Sequence, residues 1–289
     1  MMVHSNPDVI IVHTLEEALE QLQQHGEDAK ILAGGTALVL MLHHGLISPS
    51  VLVGIQSIPE LHFVEERPEH LALGALVSIQ EVARHPLVRQ HIPALATACR
   101  HVGNIRVRYQ ATIGGNLAEA DYASDPPTVF ALMDATVVAR SAQGERHIPI
   151  RDFFQGFYTT ALQPDELIVS VHIPLPPPDT RLWYQRFTTR SRHDRPCVNV
   201  AIWLRQEGQV CRELRIAVGA ACEMPVRFPD VEGWAAGEPL RPSTIQEIAH
   251  EYAQRIDPLD DLRGSAWYRR HLVEVLIRRG LEEVGNAPR

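Results

Sequence analysis

The chain has 289 residues, 35 acidic against 27 basic side chains, a net charge of −8, and 45% hydrophobic residues. That length and apolar content suffice for two or three packed units of about 100–150 residues each. The acidic balance, with no dense lysine–arginine tract, repels phosphate backbones and argues against nucleic-acid binding.

The first fifty residues read as strand, helix, strand, glycine turn, helix. Val9–Val12 is β-branched. Thr14-Leu15-Glu16-Glu17 matches a capping box, so a helix should run to about His25 and stop at Gly26. Lys30-Ile31-Leu32 is a short strand entering Ala33-Gly34-Gly35-Thr36, and Ala37–His44 has helix-forming composition before Gly45. A second unit begins near Val51. Val51–Val53 and Leu71–Leu73 look like strands. Ser78 caps a short helix to Arg84, and Pro93–His101 is another helix. Ala111–Leu117 is a second glycine turn. Pro126 and Pro127 open a helix through Leu132, and Thr136–Arg140 returns as a strand. Pro174-Leu175-Pro176-Pro177-Pro178 is a stiff extended linker. Beyond it, Val198–Leu204 and Leu214–Val218 are strand-like, and Ser243–Arg255 and Ser265–Leu281 are helix-like. Arg269-Arg270 and Arg278-Arg279 lie in the last helix and read as a solvated face.

The four cysteines, Cys99, Cys197, Cys211 and Cys222, are widely and irregularly spaced. They signal neither a disulfide framework nor a metal or cluster motif, and read as reduced, mostly buried thiols. The N-terminal stretch MMVHSNPDVIIVHT has no basic segment followed by an apolar one, so no secretory leader is expected. The longest apolar run, Ala37–Leu42, falls far short of the roughly 20 residues that span a bilayer. A cytoplasmic chain without a membrane span is expected. No Ser/His/Asp triad is readable, and His43-His44 suit a helix C-terminus better than a metal ion. No catalytic residue and no metal ligand is assigned.

The chemistry sits in two glycine pairs. Glycine lets the chain turn with positive φ and brings backbone N–H groups close to an anion. Successive N–H groups at such a turn form a nest for phosphate oxygens, and a following helix N-terminus adds partial positive charge. The alternative is that each pair is only a tight turn. Neither fits the dinucleotide or P-loop pattern.

The words around the glycines carry a family resemblance. Ile31-Leu32-Ala33-Gly34-Gly35-Thr36 resembles the first flavin motif of the medium, FAD-binding subunits of the xanthine dehydrogenase and carbon monoxide dehydrogenase family of molybdenum hydroxylases. Thr112-Ile113-Gly114-Gly115-Asn116-Leu117 with Ser124-Asp125-Pro126-Pro127 is similar to the second, and Arg263-Gly264-Ser265-Ala266 with Tyr268-Arg269-Arg270 to a third. The matches span residues 31–270 in the family's order.

The resemblance implies an α+β fold. Residues 1–176 would form a PCMH-type (vanillyl-alcohol-oxidase-like) FAD-binding domain with subdomains at about 1–54 and 55–176. Residues 180–285 would form a CO dehydrogenase flavoprotein C-terminal-like domain. It implies that Leu32, Ala33, Gly34, Gly35, Thr36 and Ala37 bind the FAD diphosphate from one side, and Thr112, Gly114, Gly115 and Asn116 from the other. Asp125 matches a position that hydrogen-bonds FAD, as suits an acceptor for hydroxyls; the alternative is an N-cap for the Pro126 helix. Val102 and Ile168 match apolar positions beside the flavin, or are plain core. Arg186 matches a lysine near the isoalloxazine, where a cation favours the reduced flavin, or is a surface charge. Tyr158, Trp183 and Tyr184 could stack on flavin or adenine, though core packing is the more frequent role.

Function follows by the same implication. A large subunit would oxidise substrate at molybdopterin, a small one would relay electrons through [2Fe–2S] clusters, and this chain's FAD would pass them to NAD, a quinone or O2. The assembly would be a heterotrimer, dimerised. Ala37, Ala111 and the stretch Arg190–Pro196 depart from the family pattern. Two alternatives stand beside this: a self-sufficient flavin oxidase, and a flavin-less scaffold or assembly subunit.

Overall fold

The computed structural model describes residues 7–286; residues 1–6, part of the stretch read for a leader, lie outside it. The chain clusters into two compact units. The first holds the N-terminal residues to Glu81, Ile105–Ala120 and Thr136–Ile173. The second holds Val82–Asn104, Asp121–Ala135 and Pro174 onward. No helix among the described residues is long and apolar enough to cross a membrane.

In the first unit, strands Asp8–Ile11, Val51–Gly54 and Ala29–Leu32 form a parallel sheet with Val51–Gly54 in the middle. The helix Leu15–His25 packs on it because its apolar residues recur at helical spacing, burying Leu15, Ala18, Leu19 and Leu22. Thr14 caps it: its hydroxyl accepts the Glu17 N–H at 3.2 Å. The Glu17 carboxylate reaches back to the His13 N–H at 2.7 Å. Gly26 ends the helix at φ +53°.

A five-stranded sheet follows in the same unit, ordered Val64–Glu66, His70–Gly74, Leu167–Pro174, Thr136–Ser141 and Gly144–Pro149. The strand Leu167–Pro174 is not expected from the sequence pattern. It lies at the centre of the sheet, between the strands that begin at His70 and Thr136.

The second unit is built on the antiparallel sheet Thr180–Phe187, Val198–Glu207 and Val210–Gly219. Its central strand is buried continuously from Val198 to Leu204. A run buried on both faces needs cover on both. The long helix Ala266–Asn286, itself packed on Pro242–Arg255, covers one face, burying Val200, Ile202 and Leu204 with Ile248, Tyr252, Val273 and Ile277. Pro126–Leu132 packs against Val198–Glu207 and Val210–Gly219, with Thr128 reaching Asn199, and Pro93–His101 packs against the edge strand Thr180–Phe187. All four cysteines are unpaired and buried.

Candidate functional site

The first glycine pair sits where strand Ala29–Leu32 ends and the short helix Leu38–His43 begins. Gly35 has φ +68°, a left-handed conformation that costs any L side chain roughly 1–2 kcal/mol. Among the described residues, the backbone N–H groups of Gly34, Gly35, Thr36 and Ala37 donate to no protein acceptor. The loop is held from outside by the Gln56 amide, which donates to the Ala33 carbonyl at 2.8 Å. The Leu32 carbonyl accepts the Ile55 N–H. Four partly exposed donors in a row, on a loop with fixed ends, are what an anionic group with many oxygens requires.

The second pair differs from the expected glycine turn. Gly114 and Gly115 lie in the first turn of a helix, Ile113–Glu119, capped by Thr112. Their donors are spent inside the chain. The Ile113 N–H goes to the Val77 carbonyl, Gly114 to Ala75, Gly115 to the Thr112 hydroxyl at 3.1 Å, and Asn116 to the Thr112 carbonyl. The expectation that this segment supplies free backbone donors is therefore corrected: an N-cap threonine closed the turn into a helix. Gly114 is needed for packing, since a Cβ there would lie 2.7 Å from the Ala75 Cβ.

The two segments meet. A Cβ on Gly34 would collide with the Gln110 carbonyl oxygen and lie 2.6 Å from its carbon and 3.1 Å from the Ala111 Cα. The Ala33–Ala37 loop thus abuts the backbone that leads into Thr112, within one unit. Ile168 belongs to the same unit and is 3% exposed. Its neighbour Val169 accepts the Ala75 N–H, and Ala75 in turn accepts from Gly114.

Val102, Asp125 and Arg186 belong to the second unit. Val102 is the C-cap of helix Pro93–His101, its N–H on the Cys99 carbonyl. Asp125 makes no side-chain cap for the helix Pro126–Leu132, so the capping alternative is corrected. Its carboxylate is buried, accepting from the Tyr184 hydroxyl through one oxygen and from the Arg186 guanidinium at 2.9 Å through the other. Burial pushes Asp125 up to about 6, against the opposing pull of Arg186, Tyr184 and Asn199. Arg186 is no surface charge either. Its side chain is 5% exposed, and it also donates to the Arg192 carbonyl. Of the three aromatic residues considered for stacking, Trp183 packs in the core against Gly280, Tyr184 is buried on Asp125, and Tyr158 is exposed at φ +52°.

The divergent Arg190–Pro196 stretch is tied down in this unit. Arg195 pairs with the buried Asp121 at 2.5 Å, and the His193 ring lies 3.3 Å from the Gly103 carbonyl. The third motif is also structural. Arg269 is fully buried rather than on a solvated face. It donates to the carbonyls of Cys197, Ala220 and Gly264 and pairs with Asp261 at 2.5 Å. Arg263 and Asp261 both bind the Tyr122 hydroxyl. Sequence reasoning passed over Gln56, Tyr122, Thr128 and Asn199. Their polar groups find partners 23 to 141 residues away.

Two family descriptions cover nearly the whole chain. Residues 4–176 match the FAD binding domain in molybdopterin dehydrogenase, and residues 183–284 match the CO dehydrogenase flavoprotein C-terminal domain. The chain belongs to this family. It is an FAD-binding oxidoreductase subunit of the molybdenum hydroxylase type. The nicotine 6-hydroxylase medium subunit of Paenarthrobacter nicotinovorans is 35% identical over 94% of this chain and 95% of its own length. The glyceraldehyde dehydrogenase medium chain of Sulfolobus acidocaldarius is 31% identical, again over 94% and 95%. Among solved structures, a carbon monoxide dehydrogenase from Hydrogenophaga pseudoflava superposes with a TM-score of 0.93 at 28% identity, covering 98% of each chain. The expected fold, an FAD-binding part followed by a CO dehydrogenase flavoprotein C-terminal part, is thus the fold of the family subunit.

Proposed function

We propose that this flavoprotein subunit is an electron conduit. It takes electrons from [2Fe–2S] clusters on a small partner and passes them through FAD to an external acceptor, NAD, a quinone or O2. A large molybdopterin-bearing partner oxidises the substrate. FAD, when bound, supplies the chemistry that joins one-electron donors to such acceptors. The chain's own residues bind, orient and set charge.

The observation that carries this reading is the Ala33–Ala37 loop. Four backbone donors without protein acceptors among the described residues, buttressed by Gln56 and set against Gln110–Ala111, fit a diphosphate. Leu32 to Ala37 would hold that group. Thr112, Gly114, Gly115 and Asn116 would shape the opposite wall, and Gly115 there is exposed. Val102 and Ile168 would supply apolar contact. Asp125 and Arg186 would face the cofactor as one coupled pair. The domain division at about residues 176–180 belongs to the same reading, as do a cytoplasmic location and a dimer of heterotrimers.

The test is purification of the protein and of its co-purifying chains. Flavin absorption, with one FAD released per chain on denaturation, is expected, and mass spectrometry should find one large and one small partner. Reduction of the flavin by substrate only when both partners are present supports the conduit. Direct reduction of the isolated chain by small organic substrates would overturn it in favour of a flavin oxidase.

A further inference from the structure

A buried polar network in the second unit is more elaborate than one ion pair requires. Tyr184 and Arg186 lie two residues apart on strand Thr180–Phe187, so their side chains leave the same face. Asn199 is the cross-strand partner of Arg186. The Tyr184 hydroxyl and the Arg186 guanidinium take opposite oxygens of Asp125. Asn199, fully buried, clamps the backbone around that carboxylate. Its amide donates to the Ser124 carbonyl at 3.1 Å, and its oxygen accepts from Thr128 at 2.6 Å. The next strand is cut back to make room: a Cβ on Gly219 would lie 2.5 Å from the Asn199 oxygen.

We propose that Tyr184 and Asn199 are positioning residues of the flavin site, holding Asp125 against Arg186 so that the pair sets how much positive charge the site presents. The proposal rests on the reading that Asp125 and Arg186 face FAD. While Asp125 is ionised it cancels the Arg186 charge. When it takes up a proton, a buried guanidinium is left uncompensated, and the site favours the gain of negative charge by the cofactor. Burial raises Asp125 to about 6, which places this change near neutrality. The other groups facing the network are Cys99, whose thiol burial holds far above the working range, and His101, whose ring centroid is 6.5 Å from that of Tyr184.

The experiment is the midpoint potential of the bound flavin in the full-length, FAD-loaded protein between pH 5 and pH 8, with FAD affinity measured alongside. Wild type should show a break near pH 6. Tyr184→Phe removes a donor to the ionised carboxylate and should move the break up by about one pH unit. Asp125→Asn should abolish the break, and Asn199→Ala should weaken FAD binding about tenfold. A flavin-replete wild type without a break overturns the proposal and leaves the flavin reading standing. A break that persists in Asp125→Asn belongs to some group other than Asp125, the flavin included, and also overturns it. Wild-type protein that binds no FAD at any pH overturns both.

Discussion

Replacing Gly34 by alanine tests the contact on which the candidate site depends. The added Cβ would meet the Gln110 carbonyl, 2.6 Å from its carbon and 3.1 Å from the Ala111 Cα. Carbon atoms settle at about 3.5–4.0 Å, so the two backbones must part by roughly 1 Å. Both are main chain and cannot rotate aside as a flexible side chain can. Overpacking of this kind costs about 1–3 kcal/mol. If the strain is relieved by opening the junction, FAD affinity should fall about 10- to 100-fold, since each 1.4 kcal/mol or so is tenfold. Gly35→Ala is the control. Its Cβ would meet only the side chains of Leu32 and Val39, at 3.1 and 3.4 Å. Its cost is the left-handed φ, about 1–2 kcal/mol, without the wedge. The assay is the flavin-to-protein absorbance ratio after gel filtration, followed by FAD titration of the stripped protein and thermal unfolding of both forms. Gly34→Ala protein that keeps stoichiometric FAD and a wild-type melting temperature would refute the claim that the loops close on each other.

Three further outcomes are expected. Thr112→Val removes the acceptor of the Gly115 N–H and should cost about 1 kcal/mol in denaturant unfolding, whereas Thr112→Ser should not. Arg269→Met strands the carbonyls of Cys197, Ala220 and Gly264 and should lower stability by about 3–5 kcal/mol. Lysine should not rescue it, because an ammonium cannot reproduce the planar fork, and a thermal shift measurement reads both variants. Asp125 should act on stability in the unusual direction. Burial raises its pKa from 3.8 to about 6, so its contribution is full below about pH 4 and is lost as pH rises through 6. The stability of flavin-free wild type relative to Asp125→Asn should therefore drop between about pH 4 and pH 6 in denaturant unfolding.

The fold was legible where local chemistry decides local structure. Thr14 with Glu17, Gly26, Gly45 and the Pro126-Pro127 pair each mark a helix end by a mechanism confined to a few residues, and each stands at the end of an element. The second glycine pair was misread by the same local reasoning. Thr112 is a cap residue, and the weight given to glycine flexibility hid the helix it begins. Arg269 was misjudged because a doubled arginine in a helix reads as solvated. Only the strand ends at Cys197 and Ala220, and the loop at Gly264, reveal the carbonyls that bind it. Asp125 and Arg186 were found singly by resemblance. Their pairing across 61 residues had no signature in the sequence.

If the pair faces FAD as proposed, it changes what the chain contributes to redox chemistry. A lone cation beside a flavin would be a fixed bias. A cation matched to a carboxylate whose charge changes near pH 6 is an adjustable one. The cysteines offer no competing route. All four are buried, and burial raises every thiol, Cys211 and Cys222 to about 11, leaving little thiolate near neutrality. On the proposed reading, what this polypeptide brings beyond the cofactor is an arrangement of charges and donors. The Ala33–Ala37 donors sit in one unit and the Asp125–Arg186 pair in the other. Substitutions in the loop should therefore change how much FAD is held, and substitutions in the pair should change the potential at which it works. A variant of either class that moved both quantities together would show that this separation of roles is wrong.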